Sequence, residues 1–308
     1  MHRRRPIRLP QLLQHRLDAA TRAFIQADRR FEADFATPRG EPALTSPDSV
    51  SWQVFKNPLS LFVGGVAAVL LELAEPRVRA GVWGHTSFRQ DPLQRIRRTG
   101  LSAMMTVYGA RSRTEKMIAR VAAMHARVNG TTEDGRPYRA DDPQLLCWVQ
   151  ATASYGFLEA YDTWVRPLDE IARSRFRQEG REAARLYGAT GAPATEQEQD
   201  MFFVSMRDAL EPSSVIFEFL DIVRHVSILP KPLGGMQELL LKAAIDILPE
   251  WVRDRLELGS AWDLRPWQRL ALRRAGDTVD RIPLYSAPPA QACLRLGLPE
   301  DYLYNRAR

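Results

Sequence analysis

The sequence predicts an all-α protein that folds as a single multi-helix domain. Apolar residues recur at spacings of three and four along most of the chain, and runs of period-two alternation are absent. Asn-Pro or Asp-Pro pairs also stand where several of these periodic segments begin, as is typical of helix starts. The 308 residues are 45% hydrophobic and 26% charged, which is enough for a large core without a disulfide or a structural metal.

Composition and charge exclude several classes of protein. The two cysteines, Cys147 and Cys293, lie far apart and form no CxxC, so we expect neither a disulfide framework nor a zinc site. A reducing compartment fits this pattern, and we expect a cytoplasmic protein. The net charge of +6 comes from arginines spread along the chain without a nucleic-acid motif. We therefore expect no nucleic-acid partner.

The N-terminus does not resemble a targeting signal, because no continuous apolar run follows its first arginines. The most apolar segment, Leu59 to Ala74, is shorter than the roughly 20 residues that span a bilayer. It also carries the carboxylate of Glu72. We expect a buried core helix and no transmembrane segment.

The first elements are an amphipathic helix over residues 11–35 and a loop rich in Pro, Ser and Thr over residues 37–51. Asn57-Pro58 then begins the most apolar helix. Gly64-Gly65 lies inside it, although glycine costs helix stability. Close approach of a flat ligand would explain the pair, but tight packing against another helix is the favoured reason.

Two further helix starts follow. Asp91-Pro92 combines an N-cap residue with proline at the first helical position, and predicts a helix that continues to about Tyr108. Ser112 and Glu115 have the spacing of a capping box and predict the start of the next helix.

In that next helix, Ile118, Val121, His125 and Val128 share one face, and Asn129-Gly130 predicts its end. Residues 131–140 are polar and predict an exposed loop. Further helices are predicted from Asp142-Pro143 onward and over 165–187, 199–229, 234–248 and 263–280.

The common catalytic signatures are absent. The chain contains no GxGxxG, Walker A, HExxH or GxSxG motif. The Glu-x-x-His pairs of helical di-iron proteins are missing too, because Ala122 precedes His125 by three residues and Val82 precedes His85. A carboxylate-bridged pair of metal ions is therefore not expected.

His125 is the most informative histidine, because it lies on the apolar face of a predicted helix. Periodicity alone favours a hydrogen-bonded core histidine over a metal ligand. Arg95 and Thr99 stand four residues apart, so both can face one ligand, and Arg98 lies on a neighbouring line of the helix. Arginine presents a planar fork that suits carboxylates, although a solvated basic face is the ordinary alternative.

Several spaced blocks occur in a characteristic order. They are Gly64-Gly65, Gly81-Val82, His85-x-x-Phe88-x-x-Asp91-Pro92, Arg95-x-Arg97-Arg98-Thr99, Met124-His125-Ala126-Arg127-Val128-x-Gly130 and Asp142-Pro143-x-Leu145-Leu146-x-Trp148-Val149. Together with Leu248-Pro249-x-Trp251, this order resembles the catalytic domain family of the MpaB oxygenases and of the rubber oxygenase called latex-clearing protein, over roughly residues 52 to 300.

The resemblance implies a helical haem b protein that uses oxygen, with His125 as the iron ligand. It also implies that the Gly64-Gly65 helix forms a wall of the haem pocket. The rubber oxygenase carries an Arg-x-x-Lys-Thr motif whose lysine can bind the iron, and here Arg98 replaces that lysine. A guanidinium stays protonated and has no free lone pair, so Arg98 cannot be a ligand. We therefore expect a distal side open to oxygen, peroxide or water, unless His85 approaches the iron.

The resemblance also assigns roles to other residues. Arg95, Arg98 and Thr99 form the catalytic set, which meets the oxidant or a haem propionate, and Trp148 and Gln150 line the pocket. Many relatives carry histidine where this chain has Gln150, and an amide cannot perform acid–base chemistry. Details of the relatives' mechanism are therefore not transferred.

The leading hypothesis is a haem b-dependent oxygenase or oxidase that acts on a small apolar or aromatic organic substrate with O2 or peroxide. The alternative is a non-catalytic helical protein that binds haem, a lipid or a partner, and a peripheral membrane protein is a weaker third class. We expect an N-terminal helix and linker over residues 1–50, the haem-binding domain over 51–300 and a C-terminal tail over 301–308.

Overall fold

The computed structural model describes residues 5–26, 33–85, 88–227 and 234–305. These residues form an all-α fold with one small hairpin. In chain order the elements are α1 (Gln11–Gln26), α2 (Val50–Phe55), α3 (Pro58–Ala74), α4 (Pro76–His85), α5 (Pro92–Tyr108), α6 (Arg111–His125), β1 (Asn129–Thr131), β2 (Pro137–Arg139), α7 (Pro143–Trp164), α8 (Glu170–Glu179), α9 (Arg181–Tyr187), α10 (Glu196–Met206), α11 (Ser214–His225), α12 (Met236–Asp246), α13 (Glu250–Arg255), α14 (Pro266–Asp280), α15 (Pro288–Arg295) and α16 (Tyr302–Asn305). Short 3-10 turns cover Arg207–Ala209 and Ser260–Trp262.

The predicted caps begin three of the helices. The Asn57 side chain accepts hydrogen bonds from the backbone N–H of Leu59 at 3.0 Å and of Ser60 at 3.3 Å. Asp91 and Asp142 cap α5 and α7 in the same manner. Each cap satisfies N–H groups that have no partner within the helix, so these starts were predictable from local sequence.

The centre of the fold is the close pairing of α3 with α7. A Cβ atom on Gly64 would lie 2.7 Å from the backbone oxygen of Gly156, so only glycine permits this approach. The packing explanation for the pair of glycines is thereby confirmed at Gly64. Gly65 differs, because a Cβ there would find only the Phe157 ring, at 4.0 Å.

Two large hydrophobic cores include residues of this pair, and a small third cluster surrounds Cys147. The first surrounds the fully buried Trp148 and Trp164, whose indole N–H groups donate to backbone oxygens of α3 and α12. The second contains buried side chains from distant parts of the described chain: Phe35, Trp52, Tyr108, Cys293, Leu303 and Tyr304. Residues outside 51–300 thus contribute to this core, and the three-part division stays a prediction.

Some predicted boundaries are wrong. The first helix ends earlier than predicted, because Ala33 to Phe35 are not helical; residues 27–32 lie outside the described part. The carboxylate of Asp34 accepts hydrogen bonds from the backbone of Ala36 and Thr37, which favours a turn. The segment 165–187 is likewise divided into α8 and α9 at Gly180.

The capping box at Ser112 and Glu115 is also wrong. The helix begins one residue earlier, at Arg111, without a side-chain cap. The Ser112 backbone N–H and hydroxyl both donate to the Glu41 carboxylate, at 2.6 and 3.0 Å. The Glu41 carboxylate, which is distant in sequence, therefore accepts a backbone hydrogen bond at this helix start that a local cap was expected to accept.

The segment after His125 forms a β-hairpin instead of a helix end and a loop. α6 ends at His125, and Asn129, Gly130 and Thr131 pair with Arg139, Tyr138 and Pro137. Tyr138 is buried against Gly81 and Gly130. A bulky side chain at Gly130 would collide with the Tyr138 ring, so this glycine serves packing.

Within the described residues, no single helix has the length and apolar composition of a membrane span. α3 and α4 would satisfy both criteria only together, and they meet at an angle of 110°.

Candidate functional site

His125 is the last residue of α6, and the chain turns sharply after it. The backbone N–H of Val128 donates to the His125 carbonyl at 3.0 Å, and this turn leads into the hairpin. The side chain is partly buried. Its Nδ1 atom is buried and has no hydrogen-bond partner among the described residues. An imidazole nitrogen in this condition is available to a ligand.

The surroundings of His125 favour a neutral ring. Burial lowers the pKa of His125, and the positive charge of Arg95 lowers it further, whereas Asp141 opposes both effects. A neutral imidazole keeps one nitrogen lone pair free, which is the form that binds metals. Arg95 of α5 is thus near enough to His125 of α6 to influence its pKa.

Arg95 lies in the first turn of α5 and also interacts with Glu72 of α3. Burial lowers the pKa of Arg95, while Glu72 raises it and Arg98 lowers it again. The Arg95 Nε atom is buried without a hydrogen-bond partner among the residues described. Arg95 therefore stands between an acid on α3 and a histidine on α6.

Glu72 is a candidate that sequence reasoning noted only as a charge in an apolar helix. Burial raises the pKa of its carboxyl group from 4.5 to about 7, although the nearby Arg95 favours the charged form. Such a group can take up or release a proton near neutral pH. The available signal was a single carboxylate in the most apolar helix, but its partner Arg95 could not be predicted.

One face of α3 leads to Glu72. Phe62, Gly65, Val69 and Glu72 follow at spacings of three and four, and all are partly accessible, whereas the rest of the helix from Val63 onward is buried. This apolar stripe ends at the titratable carboxylate.

The other predicted residues on α5 have different surroundings. Arg98 is partly buried and close enough to Arg95 to lower its pKa. Thr99 is exposed, and its hydroxyl donates to the Arg95 backbone carbonyl at 3.0 Å. The Arg97 guanidinium lies 5.3 Å from the centre of the Phe24 ring on α1. The arginines of this motif therefore point in more than one direction.

A protein-family model described as "ER-bound oxygenase mpaB/B'/Rubber oxygenase, catalytic domain" matches residues 52–281. The chain belongs to this family. The match extends from α2 to the end of α14 and includes His125, Arg95 and Glu72. It confirms the predicted resemblance and the all-α fold, and it shows that the chain carries an oxygenase catalytic domain. A search of curated proteins found no match, and neither did a search of solved structures.

The other residues predicted for the site, Trp148, Gln150 and His85, have different surroundings. Trp148 is fully buried, and its indole N–H donates to the carbonyl of Leu71 at 3.2 Å, directly beside Glu72. Gln150 lies near the junction of α8 and α9, where its Nε2 would be 3.7 Å from a Cβ atom on Gly180. His85 is exposed, and its Nε2 hydrogen-bonds to the Tyr138 hydroxyl at 3.0 Å.

The donor set around His125 fits a haem better than a protein-bound metal ion. Among the described residues, no three His, Cys, Asp or Glu side chains cluster in a way that could hold a metal. A haem brings four nitrogen ligands and needs only one from the protein. The buried Nδ1 of His125, which has no partner among the described residues, meets that need, and the guanidinium of Arg95 is of a kind that suits a propionate.

A cavity of about 390 Å³ lies elsewhere, between α4, the hairpin and the start of α11. Its lining includes Arg79, Trp83 and Arg136, and it does not include His125, Arg95 or Glu72. Arg79 and Arg136 form ion pairs with Glu211, and a third lining arginine, Arg89, forms one with Glu218. We therefore place the candidate site at His125, on its chemistry.

Proposed function

We propose that this oxygenase-family protein depends on haem b and acts on a small apolar or aromatic organic substrate, with O2 or peroxide as the oxidant. The observation that carries the proposal is the buried Nδ1 of His125, which has no partner among the described residues and belongs to an imidazole whose pKa is lowered. We assign His125 as the iron ligand. The haem, when bound, would supply the redox chemistry.

The protein's own contribution is orientation and charge. Arg95 would hold a propionate through its planar fork, and Arg98 would present a fixed positive charge beside it. Because Arg98 cannot lose its proton, it cannot occupy a coordination position. We therefore propose an open distal side, with His85 kept away by its bond to Tyr138.

Glu72 would donate or accept protons at this site. Its pKa of about 7 lets the carboxyl group hold a proton or release it at neutral pH. The apolar stripe of Phe62, Gly65 and Val69 would contact the substrate, because apolar side chains with partial access favour an apolar ligand. Gln150 can position a ligand but cannot replace an acid or a base.

The first experiment is the absorption spectrum of the purified protein expressed with a haem precursor. We expect a Soret band in the wild type that is weakened or reshaped in His125→Ala. His225→Ala is the matched control, because His225 also ends a helix but is exposed and bonded to the Asp221 carbonyl. A wild-type protein that stays colourless after reconstitution with haem would overturn the proposal.

A turnover assay distinguishes an oxygenase from a protein that only binds haem or lipid. The haem-loaded protein is incubated with apolar and aromatic substrates plus oxygen or peroxide, and products are measured by mass spectrometry. Product formation that is lost in Arg98→Gln supports catalysis.

We also propose a cytoplasmic location, in keeping with two free and buried cysteines. Cell fractionation would test this location.

A further inference from the structure

The outer face of α14 combines exposed apolar and basic side chains. The helix is fixed to the fold on its other side, where Leu272 is buried and a Cβ atom on Gly276 would collide with the backbone of Trp164. Trp267 is 61% exposed and Leu270 is 50% exposed. Exposure of a large indole costs free energy in water, so this face needs an explanation.

The exposed side chains share one line of the helix. Trp267, Leu270, Ala271 and Arg274 are all exposed and follow at spacings of three, four and seven from the tryptophan. These spacings bring side chains to the same face of an α-helix. The apolar groups therefore form a continuous surface at the N-terminal half of α14, with a cation at its edge.

The charge of this segment has one sign. Between Leu264 and Gly276 the chain carries Arg265, Arg269, Arg273 and Arg274 and no Asp or Glu. Arg269 pairs with Asp246. Arg273 and Arg274 are exposed. The next acidic residue, Asp277, lies one turn further along the helix, where its carboxylate is 4.0 Å from the Arg281 guanidinium.

We infer that this face of α14, the α14 surface, docks on an anionic lipid membrane. Tryptophan and leucine would enter the interface between headgroups and acyl chains, and the arginines would meet lipid phosphates and carboxylates. The occupant is a lipid surface because the apolar face is short and faces outward, and because two exposed arginines, Arg273 and Arg274, lie beside it. This inference is independent of the haem proposal.

Other exposed apolar side chains lie near acidic residues, and this difference in charge distinguishes them from the α14 surface as a membrane-binding site. Ile171, Met201 and Val204 are at least 62% exposed on α8 and α10. For Met201 and Val204, the nearest charged residues in α10 are the acidic Glu198 and Asp200. An anionic membrane would repel this acidic region, so it provides a matched control for apolar exposure without positive charge.

The test is flotation of the full-length chain with vesicles of phosphatidylcholine alone or with added phosphatidylserine. We expect binding to the anionic vesicles only, and a loss of binding in 0.5 M salt because exposed charges are screened. Each arginine near such a surface contributes about a fivefold effect, so Arg273→Gln with Arg274→Gln should weaken binding about 25-fold. Trp267→Ala with Leu270→Ala should weaken it by at least about tenfold.

The control is Met201→Ala with Val204→Ala, which should bind vesicles like the wild type. Thermal unfolding is measured for every variant, so that a loss of binding is compared only between folded proteins. The inference is overturned if the wild type does not bind anionic vesicles, or if the control loses as much binding as the α14 variants. It is also overturned if the wild type forms dimers that Trp267→Ala abolishes, because a second copy would then occupy the surface.

Discussion

The candidate site brings together three titratable side chains from three helices: Glu72 of α3, Arg95 of α5 and His125 of α6. Arg95 lies between the other two and acts on both of their pKa values. Burial is the larger influence on both groups: it lowers the pKa of His125 and raises that of Glu72. The positive charge of Arg95 adds to the first effect and opposes the second.

The neighbours Arg95 and Thr99 should differ in their effect on haem binding. We expect Arg95→Gln to raise the dissociation constant for haem about tenfold, because a charged hydrogen bond to a propionate is lost. Thr99→Val should leave it unchanged, since the Thr99 hydroxyl is exposed and bonded to its own helix. Haem titration followed by absorbance measures both. A larger effect of Thr99→Val than of Arg95→Gln would contradict the assignment.

Glu72 should make the haem-free protein less stable as the pH rises. The folded state holds this proton up to about pH 7, whereas the unfolded chain releases it near pH 4.5. Stability is therefore unaffected below pH 4.5 and falls between pH 4.5 and 7. Glu72→Gln removes this penalty and should stabilise the protein by about 3 kcal/mol at pH 8, but not at pH 4.

Urea unfolding at the two pH values measures this difference. Glu238→Gln is the control, because its carboxylate on α12 is more than half exposed. Equal effects of Glu72→Gln at pH 4 and pH 8 would show that Glu72 is an ordinary surface carboxylate.

At the scale of single elements, the two adjacent glycines of α3 have opposite expected effects. Gly64→Ala would place Cβ 2.7 Å from the Gly156 oxygen and should destabilise the protein by about 1–3 kcal/mol. Gly65→Ala meets no atom closer than 4.0 Å and should stabilise the helix by up to about 1 kcal/mol. Urea unfolding of the haem-free variants compares them. Equal destabilisation by both would contradict the packing of α3 on α7.

The hairpin after His125 shows where element prediction failed. Asn129-Gly130 is typical of a helix end, and the prediction placed the end of α6 there. The two strands have only three residues each, too few for a period-two pattern to appear. Their pairing is fixed by Tyr138, which is buried against Gly81 of α4. A contact between distant segments decided this element.

At the scale of the whole molecule, a buried ion pair joins the segment between α2 and α3 to the end of α14. Lys56 Nζ lies 3.0 Å from Asp280 Oδ1, with side chains 1% and 9% exposed. The ammonium also lies 4.4 Å from the centre of the Tyr304 ring near the C-terminus. The pair therefore connects parts of the chain that are distant in sequence.

Lys56→Met should destabilise the protein by about 3 kcal/mol, because it leaves the Asp280 carboxylate buried without its cation. Lys56→Met with Asp280→Leu should recover part of this loss. Arg89→Met is the control: the Arg89–Glu218 pair is 60% and 38% exposed, so its loss should cost less than about 1 kcal/mol. Thermal and urea unfolding measure all three, and equal losses for Lys56→Met and Arg89→Met would refute the role of the buried pair.

The sequence by itself determined the all-α class, the starts of α3, α5 and α7 and the family, because caps, apolar periodicity and ordered motifs are local signals. It also indicated His125 and Arg95 as parts of one site. Only the tertiary structure decided that Glu72 joins them, that Thr99 faces solvent and that Glu41 replaces the predicted cap at Ser112. Those outcomes depend on burial and on charges brought close from distant segments, and neither quantity is contained in a local pattern.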